Sequence, residues 1–214
     1  MIKNLFRREL LLAALLVPVL AVAQPRTPVA GKDYRPVQPP QPTDNPAKIE
    51  VLEFFAYTCP HCMTYEPVMK AWKKTLPADV ELKLVPVAFD ERGTPYAKIY
   101  YTLEALGKLD AMHDKVFDAV INQRMRFDKP EVLADFMAAN GIDKKQWNDA
   151  FNSFGVNSKA NRASQVWRAY KIDGTPANAV AGKYVTAPSM VGTREGATQV
   201  MDYLIAQERA ARKK

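Results

Sequence analysis

Both cysteines of this 214-residue chain stand in one tetrapeptide, Cys59-Pro60-His61-Cys62, and two thiols three residues apart can either close a disulfide or hold a metal. Zinc asks for about four ligands, and the only further soft candidate outside the tetrapeptide is His113. Covalent haem attachment needs a histidine directly after the second cysteine, where this chain has Met63. A purely structural bridge would close a very short loop and so restrain the unfolded chain little. The pattern therefore points to a redox-active pair with no metal and no cofactor. A protein using Cys59 and Cys62 as thiolate ligands for a metal such as copper is the alternative from another class.

If a helix begins at Pro60, Cys59 sits at its N-terminal edge, where unpaired N–H groups and the positive end of the dipole favour an anion. Cys62 lies one turn in and should be buried. Cys59 is then the nucleophile and Cys62 the resolving thiol. His61 can bring its imidazole near the Cys59 sulfur and lower its pKa further, or stand as a half-exposed turn residue. A stabilised thiolate favours the reduced protein, so the disulfide form becomes an oxidant. Glu53 is out of character in Val51-Leu52-Glu53-Phe54-Phe55. Burial should raise its pKa and let it take and return the Cys62 proton, unless it faces solvent at an edge. Gly174-Thr175-Pro176 precedes an apolar run and suits a cis X-Pro bond. The Thr175 backbone would then form an open edge beside Cys59 for an extended substrate, with Pro60, Thr175 and Pro176 as its binding surface.

These residues need elements to hold them. Ile49, Val51, Leu52, Phe54 and Phe55 read as a strand buried on both faces. A helix should run from Pro60 to about Leu76, kinked at Pro67 and closed by Pro77. Val80 to Phe89 is a second strand, which completes a βαβ unit with a parallel pair. From Pro95 to about Tyr170 the apolar residues recur at helical spacing in five segments. The third stops at Asn140-Gly141, Asp143 caps the fourth, which carries Trp147, Ala150, Phe151 and Phe154, and the fifth runs from Val156. Their large side chains read as core. Ala177 to Val180 and Tyr184 to Thr186 are strands joined at Gly182-Lys183, and a last helix starts near Thr193. The fold class is α/β: a small mixed sheet in two pieces, residues 47–93 and 171–214, around an all-helical insertion at 94–170.

Composition narrows the setting. With 48% hydrophobic and 25% charged residues the chain has ample material for a core. The net charge of +7 comes from basic residues scattered along the chain, so no nucleic-acid partner is expected. Residues 1–23 read as a signal peptide: Lys3, Arg7 and Arg8, then the apolar run Leu10 to Ala23, ending in Ala21-Val22-Ala23. That run is shorter than the roughly 20 residues a bilayer requires. Cleavage removes three of 30 basic and one of 23 acidic side chains, leaving +5 over 191 residues, in a compartment where thiols are oxidised. Residues 24–46 hold seven of the sixteen prolines and read as an extended, unpacked lead-in, with order beginning at Lys48.

At these residues the chain resembles the thioredoxin superfamily and, within it, the DsbA family of periplasmic thiol:disulfide oxidoreductases. The resemblance rests on CPHC, the Val51-Leu52-Glu53-Phe54-Phe55 strand, the helical insertion, Asn152-Ser153-Phe154 and Gly174-Thr175-Pro176. It implies a thioredoxin-like fold and a monomeric oxidase acting on unfolded exported proteins, reoxidised by a DsbB-like quinone-linked membrane protein. It also implies Cys59 as the attacking cysteine, Cys62 as its partner, Glu53 as the buried acid and Pro176 as the cis-proline. Two positions depart from the enteric pattern. Thr175 stands where that pattern has valine, as in isomerase relatives. Lys83 lies one residue before the position of its lysine, here Leu84, and an offset of one on a strand reverses the face. A disulfide isomerase or reductase is the alternative within the same fold, although 23 proline-rich residues cannot supply an isomerase's dimerisation domain.

Overall fold

The computed structural model describes residues 26–213; the expected signal peptide lies outside the described residues. Five strands, β1 (Arg35–Pro36), β2 (Ile49–Phe55), β3 (Val80–Pro86), β4 (Ala177–Val180) and β5 (Tyr184–Thr186), form one sheet in the order β1-β5-β4-β2-β3. β2 pairs parallel with β3 and antiparallel with β4. It is an interior strand buried on both faces, as its apolar run predicts, with all seven residues buried. Helix α1 (Pro60–Lys73) connects β2 to β3. Between β3 and β4 come α2 (Thr94–Ala105), α3 (Leu109–Ile121), α4 (Pro130–Ala139), α5 (Lys144–Phe151) and α6 (Phe154–Ala169), and after β5 come α7 (Pro188–Val191) and α8 (Arg194–Arg212). Among the described residues, no helix is long and apolar enough to cross a membrane.

The period-two alternation of β2 decides what each face meets. Ile49 and Val51 pack with Tyr65 and Met69 of α1 and Leu204 of α8. Phe55 continues that face into a cluster with Ile99, Val116 and Trp147 from the inserted helices. Leu52 and Phe54 point the other way, onto Ala163 and Trp167 of α6. Each such side chain, fully buried, contributes on the order of 2 kcal/mol, which offsets the cost of the one carboxyl on the same face.

Several boundaries differ from the sequence reading. α1 runs on through Pro67 and ends at Lys73 rather than near Leu76, and β3 ends at Pro86, leaving Phe89 about half exposed. Phe154 is not core. The Ser153 hydroxyl accepts the Val156 N–H and starts a new helix there, which turns Phe154 outward to 88% exposure.

The largest correction concerns the lead-in, which is packed. Arg35 and Pro36 pair with Val185 and Tyr184, and Val37 is buried. The Val37 N–H donates to Lys183 O at 2.7 Å, the Gln41 N–H to Gly182 O at 2.8 Å, and the Thr186 hydroxyl to Asp33 O at 2.7 Å. The physical reason is the free edge of β5, whose backbone groups need partners. Extended chain supplies them, and a proline at a sheet edge forfeits nothing.

Ala181 and Gly182 both take positive φ in the β4–β5 turn, at 54° and 72°. A Cβ on Gly182 would stand 2.0 Å from the Gln41 carbonyl oxygen. Gly182→Ala should therefore cost about 2 kcal/mol, read by chemical denaturation, and speed proteolysis within residues 26–46. A variant as stable and as resistant as the parent would show that the lead-in does not press on this turn.

Candidate active site

β2 ends at Phe55, and after a short turn Cys59 takes extended backbone angles (φ −101°, ψ 110°) as the N-cap of α1. Its Sγ accepts the Cys62 N–H at 3.4 Å, as a capping side chain does. Pro60, exposed, fills the first helical position, where the missing N–H costs nothing. Both cysteines are free thiols, Cys59 half-buried and Cys62 buried.

The third side of the site arrives from 116 residues away. The Thr175–Pro176 peptide is cis, and β4 starts at Ala177, in register with Phe54. That pairing sets Thr175 against the end of β2, with its carbonyl oxygen 3.2 Å from Cys59 Sγ and accepting the thiol proton. Thr175 is half-buried and Pro176 buried.

These neighbours lower the Cys59 pKa from about 9 to about 5. The Cys62 thiol, donating to Cys59 Sγ, contributes most. Partial burial opposes it, and the Thr175 side chain and the Cys62 and His61 backbone N–H groups add to it. Cys62 is pushed the other way, first by burial and then by the sulfur beside it. The sulfur anion therefore belongs to Cys59. His61 is exposed, and what it presents to Cys59 is its main-chain N–H.

Glu53 is buried to 1% exposure, and its Oε1 has no hydrogen-bond partner. It shares the β2 face of Val51 and Phe55, the face covered by the helix that carries Cys62. Burial, then the charge of Glu66, raises its pKa well above the ordinary carboxyl value, and Lys70 opposes this. Lys83 does not pair with it. In register with Leu52, Lys83 lies on the opposite face and bonds Glu50 at 2.9 Å and Asp44 at 3.1 Å.

The sequence reading missed the groups around Glu53. Asn178 pairs across the sheet with Glu53 and accepts from the Tyr65 hydroxyl at 3.0 Å. Glu66, Tyr57 and His113 are buried together. Glu66 was within reach of helical periodicity, since it follows Cys62 by four residues on the inward face of α1. His113, weighed from sequence only as a metal ligand, sits among Met112, Val116 and Phe117. Among the described residues, no three His, Cys, Asp or Glu side chains cluster to hold a metal ion.

The depressed Cys59 pKa carries a sign. Its stabilisation of the reduced fold is complete only above the ordinary thiol value near 9 and disappears as pH falls through about 5. Between those limits the reduced form should gain on the oxidised form with rising pH, as denaturation of the two forms will show. Thr175→Val keeps the shape and the backbone but removes the hydroxyl. It should raise the Cys59 midpoint, read by thiolate absorbance, by about half a unit or more; an unmoved midpoint would remove Thr175 from the set of donors.

Comparison with known proteins agrees with this geometry. Residues 50–197 match the family described as DSBA-like thioredoxin domain. The thiol:disulfide interchange protein DsbA of Bordetella parapertussis is 45% identical over 201 residues, covering 93% of this chain and 96% of its own. That of Burkholderia cepacia is 41% identical over 92% of this chain and 94% of its own. Among solved structures, Pseudomonas aeruginosa DsbA superposes with a TM-score of 0.84 at 37% identity, covering 87% of this chain and 97% of that one. With a thiol pair capping a helix beside a cis-proline, on a thioredoxin-like sheet interrupted by helices, the chain belongs to the DsbA family of thiol:disulfide interchange proteins, which are oxidoreductases.

Proposed function

We propose that the chain is an oxidant of exported proteins in the periplasm, handing its Cys59–Cys62 disulfide to pairs of substrate thiols. The observation that carries this is the Cys59 pKa of about 5 beside a thiol pushed upward. At pH about 7 the thiolate outnumbers the thiol roughly a hundredfold, whereas an ordinary cysteine is only a few per cent ionised. So large a preference stabilises the reduced protein and makes the disulfide a donor.

In the first step a substrate thiolate bonds to Cys59 Sγ, and the Cys59–Cys62 bond breaks with its electron pair on Cys62. Glu53, beneath the pair, gives Cys62 a proton. A second substrate thiolate then attacks the substrate sulfur and expels Cys59 as a thiolate. Two substrate thiols become one disulfide, and the protein is left as the dithiol. Pro60, Thr175 and Pro176 line the surface on which extended substrate lies, the Thr175 backbone offering it an edge. His61 contributes its backbone N–H to the Cys59 anion, and its exposed imidazole meets the incoming sulfur.

The division of labour follows the chain. Residues 47–93 carry both thiols, residues 171–214 bring Thr175 and Pro176 to them, and the insertion at 94–170 covers Cys62, which packs in one cluster with Ile99, Val116 and Trp147. The protein works as a monomer after loss of residues 1–23, and a DsbB-like quinone-linked membrane protein takes up its electrons.

Cys62→Ser should accumulate mixed disulfides with cysteine-containing exported proteins, visible on non-reducing gels and absent in Cys59→Ser. A redox titration against glutathione should find the pair strongly oxidising. A potential in the reducing range, or a Cys62→Ser protein without adducts, would assign the site to reduction instead.

A further inference from the structure

Two buried polar atoms on the thiol-bearing side of the sheet have no hydrogen-bond partner, and they are of opposite character: Glu53 Oε1 is an acceptor and Asn178 Nδ2 a donor. They belong to residues that face each other directly across the antiparallel β2–β4 pair. Directly opposed side chains on such a pair leave the sheet on one face, with Cβ atoms about 5 Å apart. Asn178 has no exposed surface and Glu53 only 1%. A buried donor without an acceptor is costly, and the register sets a carboxyl opposite this one.

The orientation of the amide is fixed from its other end. The Tyr65 hydroxyl of α1, itself fully buried, donates to Asn178 Oδ1 at 3.0 Å. A phenol has one proton to give, the amide oxygen takes it, and the amide N–H groups are left free. The charged or titratable groups that also act on Glu53 are Glu66 and Lys70 from α1 and Tyr100 from α2, while β3 places Leu84 opposite it. His113 and Asp114 of α3 act on Glu66 and Lys70, and Glu195 of α8 acts on Tyr65. Lys70, the one cation of this set, is about half exposed and engaged by Glu66 and Asp114. The other unpaired buried donors among the described residues, on Trp167 and Tyr170, pack on the opposite face with Leu52 and Phe54.

We propose that Asn178 is a positioning residue of the thiol exchange: held by Tyr65, its Nδ2–H receives the Glu53 carboxylate as Cys62 takes the proton. This rests on the reading that Glu53 exchanges a proton with Cys62. When the Cys59–Cys62 bond breaks with its electron pair on Cys62, the Glu53 proton passes to Cys62 Sγ and the new carboxylate turns onto Nδ2. No covalent bond of Asn178 changes. A hydrogen bond to a charged acceptor is about twice as strong as one to a neutral acceptor, so the amide favours the state after transfer over the state before it. Glu53 then regains a proton from solvent, which frees the amide again.

The test is made in a Tyr65→Phe background, where no phenol is stranded or can turn to Glu53 in place of the amide. There Asn178→Leu, close in shape but without a donor, should raise the Glu53 titration midpoint of the oxidised protein by about one pH unit. The midpoint is read from the infrared band of the protonated buried carboxyl, identified by its loss in Glu53→Gln. Reduction of the disulfide by a small thiol, corrected for ionisation of that thiol, should slow about threefold below the midpoint, with the pH profile following the shift. Added to Glu53→Gln, Asn178→Leu should slow reduction no further, which separates positioning from a loss of packing. If Glu53→Gln leaves the reduction profile unchanged, the Glu53 reading fails and this proposal with it. If Glu53→Gln alters the profile while Asn178→Leu leaves the midpoint in place, or slows reduction equally in the absence of Glu53, Asn178 only packs and the present proposal alone is overturned.

Discussion

A sulfur anion at the first turn of α1 must be solvated by the protein on one side and open to substrate on the other. That requirement organises the molecule. The N-terminus of a helix supplies backbone N–H groups without partners, but Cys59 also needs the Cys62 thiol behind it and Thr175 at its flank. The first follows from the three-residue spacing of the two cysteines. The second exists only because β4 runs antiparallel beside β2, with Ala177 opposite Phe54. The inserted helices help bury Cys62, whose pKa is raised, while that of Cys59 is lowered.

The site separates the proton affinities of its two thiols and holds a buried polar layer on the same side of the sheet. At the surface, two thiols of the same chemistry are driven apart, Cys59 downward by donors and Cys62 upward by burial. Two buried carboxyls have different surroundings: Glu66 of α1 meets His113 and Lys70, whereas Glu53 of β2 has an oxygen without a partner. Two groups of the same chemistry whose surroundings push their affinities apart, as the two thiols are, can take separate roles. The cost of a buried polar layer is offset by the burial of the apolar side chains of β2 and the helices around it.

The opposite face of the sheet serves stability instead. There Lys83 joins Glu50, Asp44 and Glu81, and Arg162 of α6 reaches Asp44. This ties the lead-in, β2, β3 and α6 together. The enclosure of Glu50, itself buried, makes this group more than a set of exposed pairs, which individually contribute little. With the pairing of β1 on β5, it explains why a proline-rich segment is held against the sheet.

The sequence by itself determined whatever depends on neighbours within a turn or two. The buried strand β2 was legible from its apolar run, the five inserted helices from 3.6-residue spacing, and the place of Cys59 at the helix cap with Cys62 buried one turn in from the motif. Glu53 stood out because a carboxyl in an apolar strand is anomalous. What tertiary structure alone decided involves pairing across the fold. The lead-in's place on the edge of β5, the turn of Lys83 away from Glu53, the meeting of Asn178 with Glu53, and the linkage of Tyr57, His113 and Glu66 depend on strand register and helix docking between residues up to 150 apart. Composition makes prolines look unstructured, and periodicity shows only that a residue faces inward. A buried His on α3 reads as core by its spacing, and only the docking of α3 on α1 sets its ring nitrogens against a carboxylate and a phenol.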